Sequence, residues 1–184
     1  MPSERPEITI REATAADADA LGVIMVSGFF SAFLGVVDED DLDLSWSPEQ
    51  SAASWRRHFE RRASDAEKGA CEFILVAEAR RDVGPAHADA PHTEPVQHGD
   101  AGAQIAVGLA LAGARYDART PEISILHVRP SWHRLGVGRR LVGAVSRRLV
   151  ARGEHRLVIG CAQENPNCAC LLYTSDAADE LLGV

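Results

Sequence analysis

Ile8-Thr-Ile-Arg-Glu-Ala13 alternates apolar and polar residues with the period of a half-buried strand, and Thr14-Ala-Ala-Asp17 behind it has the spacing of a capping box. A helix is therefore expected to start near Ala15. Ala18, Leu21, Met25 and Phe29 recur at three- to four-residue spacing and give that helix one buried face, while Gly28 and Gly35 leave its far end undefined. Asp38-Glu-Asp-Asp-Leu-Asp43 lacks the alternating ligands and glycine of a calcium loop. It reads as a solvated acidic loop, with attraction of a cationic substrate as the alternative. Ser47-Pro-Glu-Gln50 then places serine at an N-cap, proline at the first helical position and glutamine at N3, predicting a second helix to about Ala63. Ala52, Trp55 and Phe59 fall on its core side; a substrate-pocket role is the alternative for Trp55.

Phe73-Ile-Leu-Val-Ala-Glu-Ala79 is a continuous apolar run of strand length, and Gln104 to Gly113 is a second one, expected to be its antiparallel neighbour. Between them Arg80 to Ala103 is rich in Pro, His, Asp and Gly, which predicts a flexible insertion. Its His87, His92 and His98 alternate with Asp89, Glu94 and Asp100, but the spacing fits no compact metal site. Glu122-Ile-Ser-Ile-Leu-His-Val128 is the next expected strand, stopped by Pro130. Gly138 to Ala151 follows as a helix with Leu141, Val145 and Leu149 inward and Gly153 as C-cap. Arg156-Leu-Val-Ile-Gly160 is a further strand, and Glu164-Asn-Pro-Asn167 a turn that would open one more helix.

With 184 residues, 46% of them hydrophobic, the chain is long enough for a single core. No apolar run reaches the roughly 20 residues of a bilayer span, and the N-terminus lacks signal-peptide features. A soluble, cytoplasmic protein with no membrane partner is the expectation. Cys71, Cys161, Cys168 and Cys170 have neither zinc nor redox spacing and read as reduced thiols. The formal charge of −8 argues against nucleic acid as a partner. Charge is nevertheless uneven: residues 129–156 hold eight arginines against the single acid Glu154.

That basic segment surrounds His133-Arg-Leu-Gly136-Val-Gly138. A strand, a proline, a glycine turn and a helix start make a junction whose backbone can approach a ligand closely and whose unpaired N–H groups favour an anion. Arg139 and Arg140, in the first helical turn, are placed to meet it. A dinucleotide-binding reading fits less well, because the third glycine of G-x-G-x-x-G falls on Leu141 and the strand ends eight residues before Gly136.

The order of these elements, and the Gly136-Val-Gly138 turn between Pro130 and Asn165-Pro166, resembles the GCN5-related N-acetyltransferase (GNAT) superfamily. In that family the turn opens with Gln or Arg; here His133 takes the place. The resemblance spans about Ile8 to Asn167 and implies an α/β (α+β) fold. Its central sheet would be mixed and mostly antiparallel, flanked by helices, with the C-terminal strands missing. It implies that acetyl-CoA is the cosubstrate, with no metal. The pyrophosphate would lie on the turn His133, Arg134, Leu135, Gly136, Val137, Gly138 and Arg139, and the pantetheine arm on Leu126, His127 and Val128. Main-chain groups of Leu126 and Val128 would align that arm, and an N–H there would stabilise the oxyanion. Asn165 would also contact the cosubstrate. Glu122 is the candidate base for the amine, with His127 as the alternative; strict strand alternation would send these two to opposite faces. The implied activity is acetyl transfer to a primary amine of a small molecule or protein, with a non-catalytic acyl-CoA-binding sensor or interaction domain as the other reading. Oligomeric state stays open, a homodimer included.

The family's general-acid tyrosine would fall on Leu172, and Tyr173 is one residue late, about 100° away on a helix. Cys170-Leu-Leu-Tyr-Thr-Ser-Asp-Ala-Ala-Asp-Glu180 moreover resembles the translated reading frame of a sequencing adaptor. The domain is therefore expected to occupy residues 1–169, with residues 170–184 a non-native tail.

Overall fold

The computed structural model describes residues 6–33, 38, 45–65, 72–80, 103–114 and 120–160. Five strands form one sheet in the order β1-β2-β3-β4-β5: β1 Ile8–Glu12, β2 Phe73–Arg80, β3 Gln104–Ala114, β4 Pro121–Val128 and β5 Val158–Ile159. Neighbours run antiparallel except β4 and β5, which are parallel. Helices α1 (Ala18–Phe33) and α2 (Pro48–Asp65) cover one face, and α3 (Val137–Val150) covers the other. The expected mixed, mostly antiparallel sheet between helices is the fold observed.

Strand β2 reads as an unbroken apolar run because both of its sides are enclosed. Phe73, Leu75, Ala77 and Ala79 join Leu141, Val145 and Leu149 of α3, while Ile74 and Val76 join Leu21 and Ile24 of α1 and Trp55 of α2. Each large side chain so enclosed contributes about 1.5–3 kcal/mol. Trp55 is thus core. The α3 layer lies close to the sheet where β3 offers bare backbone: a Cβ on Gly108 would stand 2.9 Å from Val137 Cγ1 and 3.1 Å from Leu141 Cδ1.

Local signals produced local structure. The Asp17 carboxylate accepts hydrogen bonds from the N–H of Thr14 (2.7 Å) and its hydroxyl (3.0 Å), closing a short 3₁₀ turn that leads into α1. Ser47 and Gln50 exchange the reciprocal bonds of a capping box at the start of α2. At the end of α3, Gly153 is left-handed, its N–H donating to Val150 and that of Glu154 to Leu149, the paired bonds of a Schellman motif. Arg62 and His58 of α2 reach Glu12, the Glu72 carbonyl and the Glu72 carboxylate, stitching that helix to the sheet.

Two expectations need correction. The stretch Ala15–Phe33 is long and apolar enough to cross a membrane by composition alone. In the fold it is a core helix, enclosed by the sheet and α2, with Gly22, Val26, Gly28 and Phe30 buried as well as Leu21 and Ile24. The second concerns β4. Ala112 pairs with Ile123 and Leu111 with Ile125, so Ser124 is an extra residue, a β-bulge. Glu122 pairs with Gly113, and His127 with Leu109 of the α1/α2 layer. A Cβ on Gly113 would meet Glu72, the partner of His58 on α2, so this is the same face. The bulge thus reverses the parity, and Glu122 and His127 share one face instead of opposing one another. The insertion at residues 81–102, the turn at Asn165 and the tail at 170–184 lie outside the described residues.

The His127 ring is clamped by α1, since a Cβ on Gly28 would stand 2.6 Å from its Nδ1. Gly28→Ala, which helix propensity alone would favour by about 1 kcal/mol, is therefore expected to destabilise the fold by about 1–3 kcal/mol. In a His127→Ala background the same change should become neutral or stabilising, a sign reversal that urea denaturation of the four proteins would detect.

Burial holds the His127 imidazole down to about 4, with the charge of His133 a smaller cause. A histidine that stays neutral in the folded state takes up more protons when unfolded, so its contribution is intact above about pH 6.5 and lost as pH falls toward 4. The stability difference between pH 7 and pH 4.5 should shrink in His127→Gln; equal acid sensitivity in both proteins would contradict this.

Candidate functional site

The turn between β4 and α3 is fixed at several points. The N–H of Arg129 donates to Val107 at 2.9 Å, holding the strand end to β3, and a 3₁₀ turn, Pro130–Trp132, follows with Trp132 buried in the α3 layer. His133 resumes extended backbone, Arg134 is left-handed at φ 63°, and Gly136 is left-handed at φ 81°, ψ 9°. Leu135 and Val137 pack inward against the α3 core, whereas Arg134, Gly136 and Arg139 are exposed. Gly136 is needed for its conformation and not for space, since a Cβ there would meet nothing within 4 Å.

Gly136 is also the N-cap of α3, one residue earlier than the sequence suggested, and among the described residues no side chain caps that end. Its carbonyl receives the N–H of Arg140, so the N–H groups of Val137, Gly138 and Arg139 are the first-turn donors with no partner within the helix. That turn holds no acid. Arginine beside the positive end of a helix is locally unfavourable by tenths of a kcal/mol, a placement that a bound anion would reverse. Left-handed residues beside exposed N–H groups are also components of backbone anion concavities.

Next to this helix start, β4 has an edge that is only partly paired among the described residues. β5 pairs with it only at Glu122 and Ile123. From Ser124 to Val128 that side of β4 has no strand partner among the described residues. Leu126 and Val128 turn their side chains into the α3 core, leaving the backbone between them as the edge. An extended chain laid along it would form strand-like bonds and reach the α3 N-terminus at its end.

The basic residues divide. Arg140 does not face the turn: its Nη1 donates to the Ile8 carbonyl at 3.1 Å, tying α3 to β1, which corrects the expectation that it meets an anion there. Arg152 lies over the Phe73 ring at 5.1 Å. Arg134 and Arg139 remain exposed beside the helix start. The ring of His133 turns back to the Val128 carbonyl at 2.9 Å.

Glu122 is partly buried at the start of β4, beside Gly160 on β5's extension. His127 lies under α1, and a ring with a pKa of about 4 is a poor proton acceptor at neutral pH. That counts against it as the base. Asn165 lies outside the described residues, as do Leu172 and Tyr173. Among the described residues no group of three His, Cys, Asp or Glu side chains could hold a metal ion. The bulge at Ser124 was the feature missed from sequence, although adjacent apolar residues at Ile125 and Leu126 already break the strand's alternation.

The family described as FR47-like protein matches residues 107–175, a segment that includes β4, the turn, α3 and β5. No curated protein sequence matches the chain. Among solved structures, PaiA N-acetyltransferase from Thermoplasma acidophilum in complex with coenzyme A is 15% identical, with a TM-score of 0.63 over 92% of this chain and 88% of that one. Ribosomal-protein-S5-alanine acetyltransferase from Vibrio fischeri is 12% identical, with a TM-score of 0.57 over 91% and 77%. YncA from Salmonella typhimurium, with its cofactor acetyl-CoA, is 19% identical, with a TM-score of 0.54 over 91% and 78%. At these identities the likeness is one of fold. The matched segment contains the strand, turn and helix described above, and the fold is the one these acetyltransferase structures share.

Proposed function

We propose that this protein transfers acetyl from acetyl-CoA to a primary amine on a small molecule or a protein. The observation that carries this reading is the start of α3, with no acid in its first turn and no side-chain cap among the described residues, beside the stretch of β4 that no described strand pairs. The residues present fit coenzyme A, whose diphosphate needs N–H donors and whose pantetheine arm is an extended amide chain. Val137, Gly138 and Arg139 would hold the diphosphate through their N–H groups, with Arg134 and Arg139 adding charge. Leu126 and Val128 would align the arm through their backbone. Coenzyme A in PaiA and acetyl-CoA in YncA support the same assignment. When bound, acetyl-CoA supplies an activated thioester.

The chain's own chemistry is proton removal and orientation. An alkyl amine has a pKa of about 10 and is mostly protonated at neutral pH, so a base must take its proton before attack. Glu122 is the carboxylate proposed for this. It pairs with Gly113 where Leu126 pairs with Ala110, three strand steps or about 10 Å away at about 3.3 Å per residue, so it would act through a chain of waters. It also faces the α1/α2 layer, which puts the acceptor on the side of the sheet away from α3.

In a thiol-release assay across an amine panel, release that depends on both acetyl-CoA and an acceptor is expected. Glu122→Gln should lower kcat by about 100-fold at neutral pH, recover in part at higher pH, and leave coenzyme A affinity within about twofold. Tight coenzyme A binding with no acceptor-dependent release from any amine would instead indicate a binding module.

Gly136→Val, which forces a β-branched residue into the left-handed region, should weaken coenzyme A by at least about tenfold, or 1.4 kcal/mol, in calorimetry. Unchanged affinity in a folded variant would contradict the assignment of the turn.

A further inference from the structure

The ring of His133 turns back toward the end of β4. Its Nε2 is 2.9 Å from the Val128 carbonyl oxygen. A carbonyl can only accept, so Nε2 carries the proton and donates. The bond closes a short loop from the last residue of β4 to the residue that begins the turn. Within that loop the N–H of Trp132 donates to Arg129 and the N–H of His133 to Pro130. Immediately after it come left-handed Arg134 and Gly136 and the start of α3.

Resting on the reading of the turn as the diphosphate seat, we propose that His133 is a positioning residue that sets this seat at a fixed distance and angle from the β4 edge. It contacts neither half of the cosubstrate. Two neighbouring subsites bind one long ligand well only when their separation is held, because each half of the ligand then binds with the other already in place. The His133 ring is a side-chain tie across this junction, additional to the backbone bonds and to the buried Trp132. It also engages one lone pair of the Val128 carbonyl, so Val128 would meet the pantetheine arm mainly through its N–H.

This arrangement separates His133 from a residue that merely builds the turn. A ligand that fills only the diphosphate seat should be indifferent to the tie, whereas one that spans both subsites should not. Calorimetry on the full chain with 3′-phospho-ADP, which lacks the pantetheine arm, and with coenzyme A tests the difference. In His133→Ala, coenzyme A should weaken by about tenfold while 3′-phospho-ADP stays within about twofold, and KM for acetyl-CoA should rise with kcat nearly unchanged. His133→Gln carries an amide N–H at about the reach of Nε2 and should restore coenzyme A binding to within about threefold. His133→Asn, whose amide is one carbon too short, should not. Circular dichroism confirms folding, and the Gln and Asn pair alone decides the matter if the alanine variant does not fold. Equal weakening of both ligands, or coenzyme A binding untouched by both Ala and Asn, overturns the positioning role. Wild-type protein that binds neither ligand overturns the reading of the turn itself, and this assignment with it.

Discussion

Strand β4 is bonded to β3 along its whole length but to β5 at only two described residues, and the rest of the site depends on that inequality. Backbone N–H and C=O groups are obligatory bonding partners, so a strand edge that no described strand pairs from Ser124 to Val128 is either a liability or a binding surface. That stretch lies beside the first turn of α3, where three more N–H groups lack partners within the helix. Two incomplete pieces of secondary structure thus meet at one corner. A ligand that is an amide chain at one end and a diphosphate at the other would complete both.

Packing holds that corner in place. Trp132, Val137 and Leu141 fix the turn and the start of α3 in the core, and Gly108 lets the helix approach β3 closely. Arg140, which could have crowded the helix start with charge, is drawn off to the Ile8 carbonyl. On the other side of the sheet Gly28 admits the His127 ring beneath α1. The two faces of β4 therefore serve different ends: Leu126 and Val128 anchor the strand to the α3 core, while Glu122 and His127 face the α1/α2 layer. The bulge at Ser124 creates that division by shifting parity once within the strand.

What was legible in the sequence was local. Thr14 with Asp17 and Ser47 with Gln50 each announce a helix within four residues, and Gly153 announces an end, because capping is chemistry between near neighbours. Strands β2 and β3 were legible as runs too apolar for an exposed position. The glycine turn was legible because left-handed backbone selects glycine at Gly136. Long-range contacts were not: Arg140 finds its partner 132 residues away, and nothing in the sequence near Gly28 indicates that His127 will lie against it. The single apolar stripe expected of α1 missed how much of it is buried, because α2 and the sheet enclose it from different sides and the sequence does not reveal a second wall.

Backbone amide resonances measured during titration with coenzyme A test the central claim most directly, since they report on the main-chain groups assigned to binding. The expected result is saturable shifts concentrated at Val137, Gly138 and Arg139 together with Leu126 to Val128, with small shifts in β1 and α2. Binding that leaves those amides unmoved, or that perturbs another part of the fold more strongly, would contradict it.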